Sequence, residues 1–502
     1  MWLFILVSAS CCFGNLPADF NGDGDVSLGD FGLFAMQWLQ EESQELMNQL
    51  YSNGLDRASE LDKIKWYLDK KTWGANDNFD SPYVVAIDEC NDITGWLTTG
   101  VGASITLEPA GPDCGYPSLK HTVPDGITAT AEKTGLSATA SPWVGVYVKV
   151  DDLSKLESLR ILLYEDEGDL DRYYSRQFVT ISTEHNHWGL KSGEWKLIWI
   201  HRHLWYSSAT TPSDWGTESN PTYPVQRLHF QVEAAGGTVN VYYGKVVTQN
   251  FPKAGIIIYF DDGYESAYNQ AYPMLSEYKW AAVAAVHPST IGIVEWCMTV
   301  DQLTEMQDAG WDICSHTWEH QSYDDSYDVA LQIEKLSSAK KWLVDHNFLR
   351  GAQFMVWPGN GGDNATDNAA EISELYHIAA RGSVSRPEYS NGVGANHRLG
   401  YALVGGQNSG WIPIDWMSLP FYSSYANDER LDFTVDLQGA IDQAIIEKAV
   451  LGIYFHKLTE EGTEVCENSI QFFADMLAYL EEKEQCGELE VLTLSDWYSR
   501  MY

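Results

Sequence analysis

The sequence predicts a multidomain fold: a short helical segment entered by an acidic loop, then an antiparallel β-sandwich, then a C-terminal α/β unit. Three observations predict it. Residues 19–30, DFNGDGDVSLGD, alternate oxygen-bearing side chains and run into the helical stretch FGLFAMQWL. Between about 80 and 250, short alternating segments such as VGVYVKV, SLRILLYE and VNVYYGKVV are separated by Gly, Pro, Asp and Ser, the pattern of half-buried antiparallel strands. From about 253 onward, apolar runs such as AGIIIYF alternate with helical stretches such as DVALQIEKLSSAKKWLVDH, the order of a largely parallel sheet or barrel. A chain of 502 residues is also too long for one ordinary core.

Taken in order, residues 1–14 (MWLFILVSASCCFG) form an apolar run ending in small residues, like a signal peptide without its basic start. They imply a secreted or cell-surface protein. Cys11 or Cys12 offers a lipoprotein anchor as an alternative, although VSAS is a poor context for one. No other stretch is long enough to span a bilayer.

Within the 15–72 segment, Asp19, Asn21, Asp23, Ser27 and Asp30 fall at positions 1, 3, 5, 9 and 12 of a loop, with Gly24 at position 6. A hard cation needs such an oxygen cage and such a turn, so Ca2+ is the expected ligand. Asp rather than Glu at position 12 resembles the calcium loop of dockerin modules, which implies a cohesin-like protein partner. A second stretch, with Asn53, Ser59 and Asp62, lacks the other acids and reads as a decayed copy. The alternative is a calcium-clipped structural appendage.

The net charge of −40 excludes nucleic acid and anionic membrane surfaces as natural partners, since phosphates need a basic surface. The 20 Trp and 28 Tyr supply either a large aromatic core or flat faces for sugar rings. In the 80–250 region, Trp195, Trp199 and Trp205 share a face by period two; this reads as the core face of a strand, with a sugar platform as the alternative. Trp188 and Trp215, in loop-like contexts, are weaker carbohydrate-binding candidates. The region resembles the jelly-roll modules that accompany carbohydrate enzymes. Beyond Cys11 and Cys12, six cysteines remain; in an exported chain the neighbours 90/114, 297/314 and 466/486 are plausible disulfide pairs.

Chemistry concentrates after residue 253. The apolar run IIIYF ends in the adjacent carboxylates of Asp261 and Asp262. Like charges side by side repel, and a bound cation is the usual compensation. Fifty-four residues after Asp262, CSHTWEH places His316 and His320 at i and i+4. A zinc peptidase of the HExxH kind would need Glu after the first His; here it is Thr317. Two imidazoles and one carboxylate leave an open position on zinc, as catalysis requires.

The ordered motifs YFDDG, SHTWEH, WPGNG, IDW and GIYFH resemble those of the polysaccharide deacetylase family, carbohydrate esterase family four, over residues 251–502. The resemblance implies a distorted (β/α)7 barrel and metal-dependent removal of N- or O-linked acetyl groups from a polysaccharide. By position it implies that Asp262, His316 and His320 hold Zn2+ or another divalent metal. Asp261 is then the general base, the Gly359 N–H an oxyanion donor, and His456 the general acid. The third motif lacks the usual Arg, since Met355 or Val356 stands there; Arg381 is the candidate replacement, or else an ordinary surface arginine. Asp415 is expected to orient His456, or to act as a capping acid. Thr317 is expected to brace the histidine loop. The competing readings are a catalytically weak relative that binds carbohydrate, and a structural calcium site, which leaves the histidines unexplained.

Overall fold

The computed structural model describes residues 83–501, except 110–116, 181–189, 191, 194, 203–204, 209–211, 214, 216–218, 322–326, 359–375, 378, 382–400, 404–413, 418–433, 435–436 and 463–466. The described residues belong to one compact unit, 69–502. The signal-like run and the loop of Asp19, Asn21, Asp23 and Asp30 lie outside the described residues, as do Trp188 and Gly359.

Among the described residues, twelve strands make the first part of this unit: β1 (Val84–Asp88), β2 (Trp96–Thr99), β3 (Ser104–Glu108), β4 (Ser118–Val123), β5 (Thr128–Ala140), β6 (Trp143–Val150), β7 (Leu156–Tyr164), β8 (Tyr173–Thr180), β9 (Trp195–His201), β10 (Tyr206–Ser207), β11 (Tyr223–Ala234) and β12 (Val239–Gln249). They pair in two sheets, β3-β4-β12-β6-β9 with β1 also on β12, and β10-β8-β7-β11-β5-β2. The pairs are antiparallel. Alternation does the sorting. Leu159, Ile161 and Leu163 of β7 and Leu228, Phe230 and Val232 of β11 are fully buried, as are Val239, Val241 and Tyr243 of β12. Phe230 on one sheet stacks on Tyr243 of the other at 3.7 Å, so the two inner faces form one core.

Trp215 is not available to a sugar. It is buried, with its ring 5.2 Å from Tyr174, 5.9 Å from Trp205 and 5.4 Å from Tyr223. Its loop-like sequence context concealed an aromatic cluster. Trp205 joins the same core, whereas Trp195 is half-buried under the Lys149 ammonium, 5.1 Å from the ring centroid.

A pH effect follows from β4. His121 is buried, and desolvation lowers its pKa from 6.5 to about 4. The unfolded chain therefore binds a proton that the folded chain refuses. Stability is full above pH 6.5 and is lost as pH falls toward 4, by up to about 3 kcal/mol for this group. Urea midpoints measured against pH should show the slope, and His121→Leu should remove that share of it. An unchanged slope in the variant would refute this origin.

The second part alternates strands and helices: β13 (Ala254–Phe260), α1 (Tyr272–Tyr278), β14 (Val283–Val286), α2 (Val300–Asp308), β15 (Asp312–Ser315), α3 (Val329–Asp345), β16 (Phe354–Val356), β17 (Ala379–Arg381), β18 (Tyr401–Leu403), β19 (Ile414–Met417), α4 (Gln438–Glu447), β20 (Val450–Phe455), β21 (Lys457–Thr459), β22 (Glu467–Ser469), α5 (Ile470–Gln485), β23 (Leu489–Leu492) and α6 (Leu494–Met501). The main sheet runs β18-β17-β16-β15-β14-β13-β20-β19, with β23 also on β13. It is parallel except for β17–β18. Among the described residues its end strands do not pair with each other, so the seven-stranded barrel closure is not seen.

The unbroken apolar run of β13 has a reason. Ile256, Ile258 and Phe260 pack in a cluster with helix residues such as Leu275, Leu303 and Phe473. Ile257 and Tyr259 face the other way, into a cluster continuous with the sandwich core. A parallel strand covered on both faces must be apolar throughout. The two parts are also joined by charge: Arg202 Nε donates to Glu447 Oε1 on α4 at 2.7 Å, and that carboxylate is buried. Among the described residues no helix is long and apolar enough to cross a membrane.

Candidate functional site

The site forms where β13, β15 and β20 end. Asp261 follows Phe260 directly, is buried, and donates its N–H to the Phe455 carbonyl at 2.8 Å. Asp262 and Gly263 then adopt left-handed φ of 69° and 73°. Asp tolerates this region better than most residues. The turn breaks the strand geometry between the two acids. Gly263 has a second reason to be glycine: a Cβ there would sit 2.9 Å from Ile291 Cδ1.

His316 follows β15. Its backbone N–H donates to Val286 O at 2.8 Å, and its Nδ1 lies 2.8 Å from Val356 O. A carbonyl only accepts, so Nδ1 carries the proton and Nε2 keeps its lone pair for the site. Thr317 and His320 have φ of 63° and 60°. A β-branched residue in this region is strained. It is held because Gln321 N–H donates to Thr317 Oγ1 at 3.1 Å and Thr317 N–H donates to Ser315 Oγ at 3.3 Å. Thr317 thus braces the turn between the two histidines.

Asp262 Oδ1 is 3.3 Å from His316 Nε2 and 3.0 Å from His320 Nε2. Donor atoms of the three residues lie within 4.8 Å of one another, the one such group among the described residues. Asp262 Oδ1 is nevertheless buried without a hydrogen bond of acceptable direction. A buried carboxylate oxygen faced by two imidazole nitrogens suits a cation held between them. The nitrogen-rich donor set fits zinc or a similar transition metal better than calcium. Burial alone would raise the Asp262 pKa, but His316, His320 and His456 hold it well below the usual carboxylate range. The same carboxylate raises the pKa of His320.

His456 stands at the end of β20 with Nε2 3.9 Å from Asp262 Oδ2. The β13–β20 register, Phe260 opposite Phe455, brings it beside Asp261. Arg381 ends β17 opposite Val356, the residue whose carbonyl accepts His316, so its backbone is at the site's end of the sheet. Asp415 is not placed to orient His456. Its β19 register partner is Leu451, five positions earlier, roughly 16 Å along a strand.

Sequence reasoning missed His287. It directly follows β14, is buried, and its ring centroid lies 5.8 Å from that of His320. Burial, then the neighbouring His316, lowers its pKa to about 4. Its signal was available: His287 follows VAAV as His456 follows GIYF, at a parallel strand's C-terminal end. Nearby, Cys297 is a free thiol that donates to Thr290 Oγ1 at 3.3 Å. The 297/314 disulfide is therefore not formed.

Residues 248–376 match the family model for polysaccharide deacetylase. The chain is 30% identical over 146 residues to YxkH of Bacillus subtilis (strain 168), whose name assigns it provisionally to the polysaccharide deacetylases; the match covers 29% of this chain and 50% of that protein. Among solved structures, it resembles the Streptococcus pyogenes deacetylase PplD in complex with acetate (20% identity, TM-score 0.25, 31% of this chain and 62% of that one). It also resembles the Xyl-CE4 domain of a multidomain xylanase from the hindgut metagenome of Trinervitermes trinervoides (11% identity, TM-score 0.30, 49% and 91%). The chain spans half the length of the curated relative. Residues 248–376 are thus similar to the polysaccharide deacetylase family.

Proposed function

We propose that the chain is a metal-dependent hydrolase that removes N- or O-linked acetyl groups from a polysaccharide. One observation carries this reading. Asp262 Oδ1, His316 Nε2 and His320 Nε2 converge, with a second buried acid, Asp261, and a further imidazole, His456, at the same strand ends. A divalent cation bound there supplies Lewis acidity toward water and an acetyl carbonyl. Asp261 takes the proton of the attacking water. His456 protonates the departing nitrogen or oxygen. The Gly359 N–H, outside the described residues, remains the proposed oxyanion donor, and Arg381 the proposed charge beside the base. Export from the cell, calcium at residues 19–30, and a cohesin-like partner belong to the same proposal and rest on the sequence.

The test is acetate release from N-acetylated chitin-like and peptidoglycan chains and from O-acetylated xylan, using metal-stripped protein with and without added zinc. Zinc-dependent release supports the proposal and names the substrate class. Zinc binding without release from any substrate would favour a carbohydrate-binding role. No zinc binding would overturn the site.

A further inference from the structure

The connection between β14 and α2, residues 287–299, carries an exposed tryptophan: Trp296, 44% exposed. An exposed indole offers apolar surface that a ligand can cover. This one is not on a loose flap. Ser289 N–H donates to Trp318 O at 3.1 Å, inside the turn between His316 and His320. Met298 N–H donates to Gly263 O at 2.9 Å, and Glu265 N–H donates to Trp296 O itself at 2.8 Å. Tyr264 and Cys297 form an antiparallel bridge. The connection is therefore clamped to both turns that carry the proposed metal ligands.

The indole is also oriented. Tyr264 backs it, with ring centroids 4.8 Å apart and planes 34° apart. His287 meets it edge-on at 6.3 Å, and His287 in turn lies 5.8 Å from His320. One imidazole thus separates the Trp296 ring from a proposed metal ligand. A fixed, exposed, amphipathic ring at that distance suits the apolar face of a pyranose. The net charge of −40 favours an uncharged or cationic glycan over an acidic one.

We propose that Trp296, backed by Tyr264, is the stacking platform for a sugar residue adjoining the acetylated one. This assignment deepens the deacetylase reading and rests on it. Trp296 is a specificity-determining residue here, and it makes no contact with the reacting atoms.

The test is calorimetric titration of the full-length, zinc-loaded Asp261→Asn protein with N-acetylated chito-oligosaccharides and O-acetylated xylo-oligosaccharides. Trp296→Ala on that background should weaken binding by about tenfold, Trp296→Phe should restore most of it, and zinc affinity should stay unchanged as a check on folding. Equal affinity with and without the indole would overturn the platform while leaving the deacetylase reading intact. Platform-dependent binding in a parent protein that releases no acetate would do the reverse. No binding of either oligosaccharide series by the Trp296 protein would overturn the platform; acetate release by the parent then decides the deacetylase reading separately.

Discussion

Asp261→Asn protein will release acetate about 10²–10⁴-fold more slowly than the parent and will hold its metal as tightly. The two halves of that expectation come from the turn at 261–263. Asp261 is outside the Asp262/His316/His320 cluster, so removing its charge takes no ligand away. It is buried beside the β20 strand end, with its N–H on Phe455 O. Asn keeps the size and the backbone bond and loses only the ability to accept a proton as a carboxylate. Initial rates of acetate release and metal content after gel filtration measure the two quantities separately. A rate within threefold of the parent (roughly 0.65 kcal/mol) would remove Asp261 from the chemistry. Metal loss in the variant would make it a ligand instead.

Asp262→Ala and His316→Ala will each weaken metal binding by more than about 100-fold, beyond the 10–100-fold expected for a residue that only supports a ligand. Asp262 supplies the one carboxylate of the cluster. His316 is buried and its Nδ1 is already committed to Val356 O, so its Nε2 is directed without further ordering cost. Chelator competition measures the affinity. A second readout is independent of activity: zinc at 100 times its Kd should stabilise the parent by about 2.7 kcal/mol and Asp262→Ala by less than about 0.4 kcal/mol at the same concentration. Undiminished zinc affinity in both variants would dissolve the proposed centre.

Much of this site was legible because its parts lie at strand ends that are obvious in sequence. IIIYF and GIYF are continuous apolar runs, and a polar residue directly after each is exposed to the sheet's C-terminal edge. The same logic would have found His287 after VAAV. The histidine pair was legible by spacing, yet its geometry was not. His316 and His320 meet through a strained turn with left-handed Thr317, where a helix would have produced the same i, i+4 signature. Trp215 failed for a different reason. Loop composition says nothing about whether a loop folds back, and here Tyr174, Trp205 and Tyr223 enclose the ring. Asp415 failed because register cannot be counted from a motif; pairing with Leu451 sets it a whole strand's length from His456.

By itself, then, the sequence determined the order of elements: alternation with period two made the sandwich strands, and unbroken apolar runs made the parallel ones. It also determined which residue types stand at the strand ends. Tertiary structure alone decided which of them meet. Asp262, His316 and His456 are separated by long stretches of chain, and they converge because β15, β14, β13 and β20 are successive neighbours in the sheet. It also decided that Trp296 is held outward beside them, since the bonds to Gly263 and Glu265 join segments that no local pattern connects. Hydrophobic periodicity is a local property of the chain, whereas strand pairing and register arise from non-local contacts.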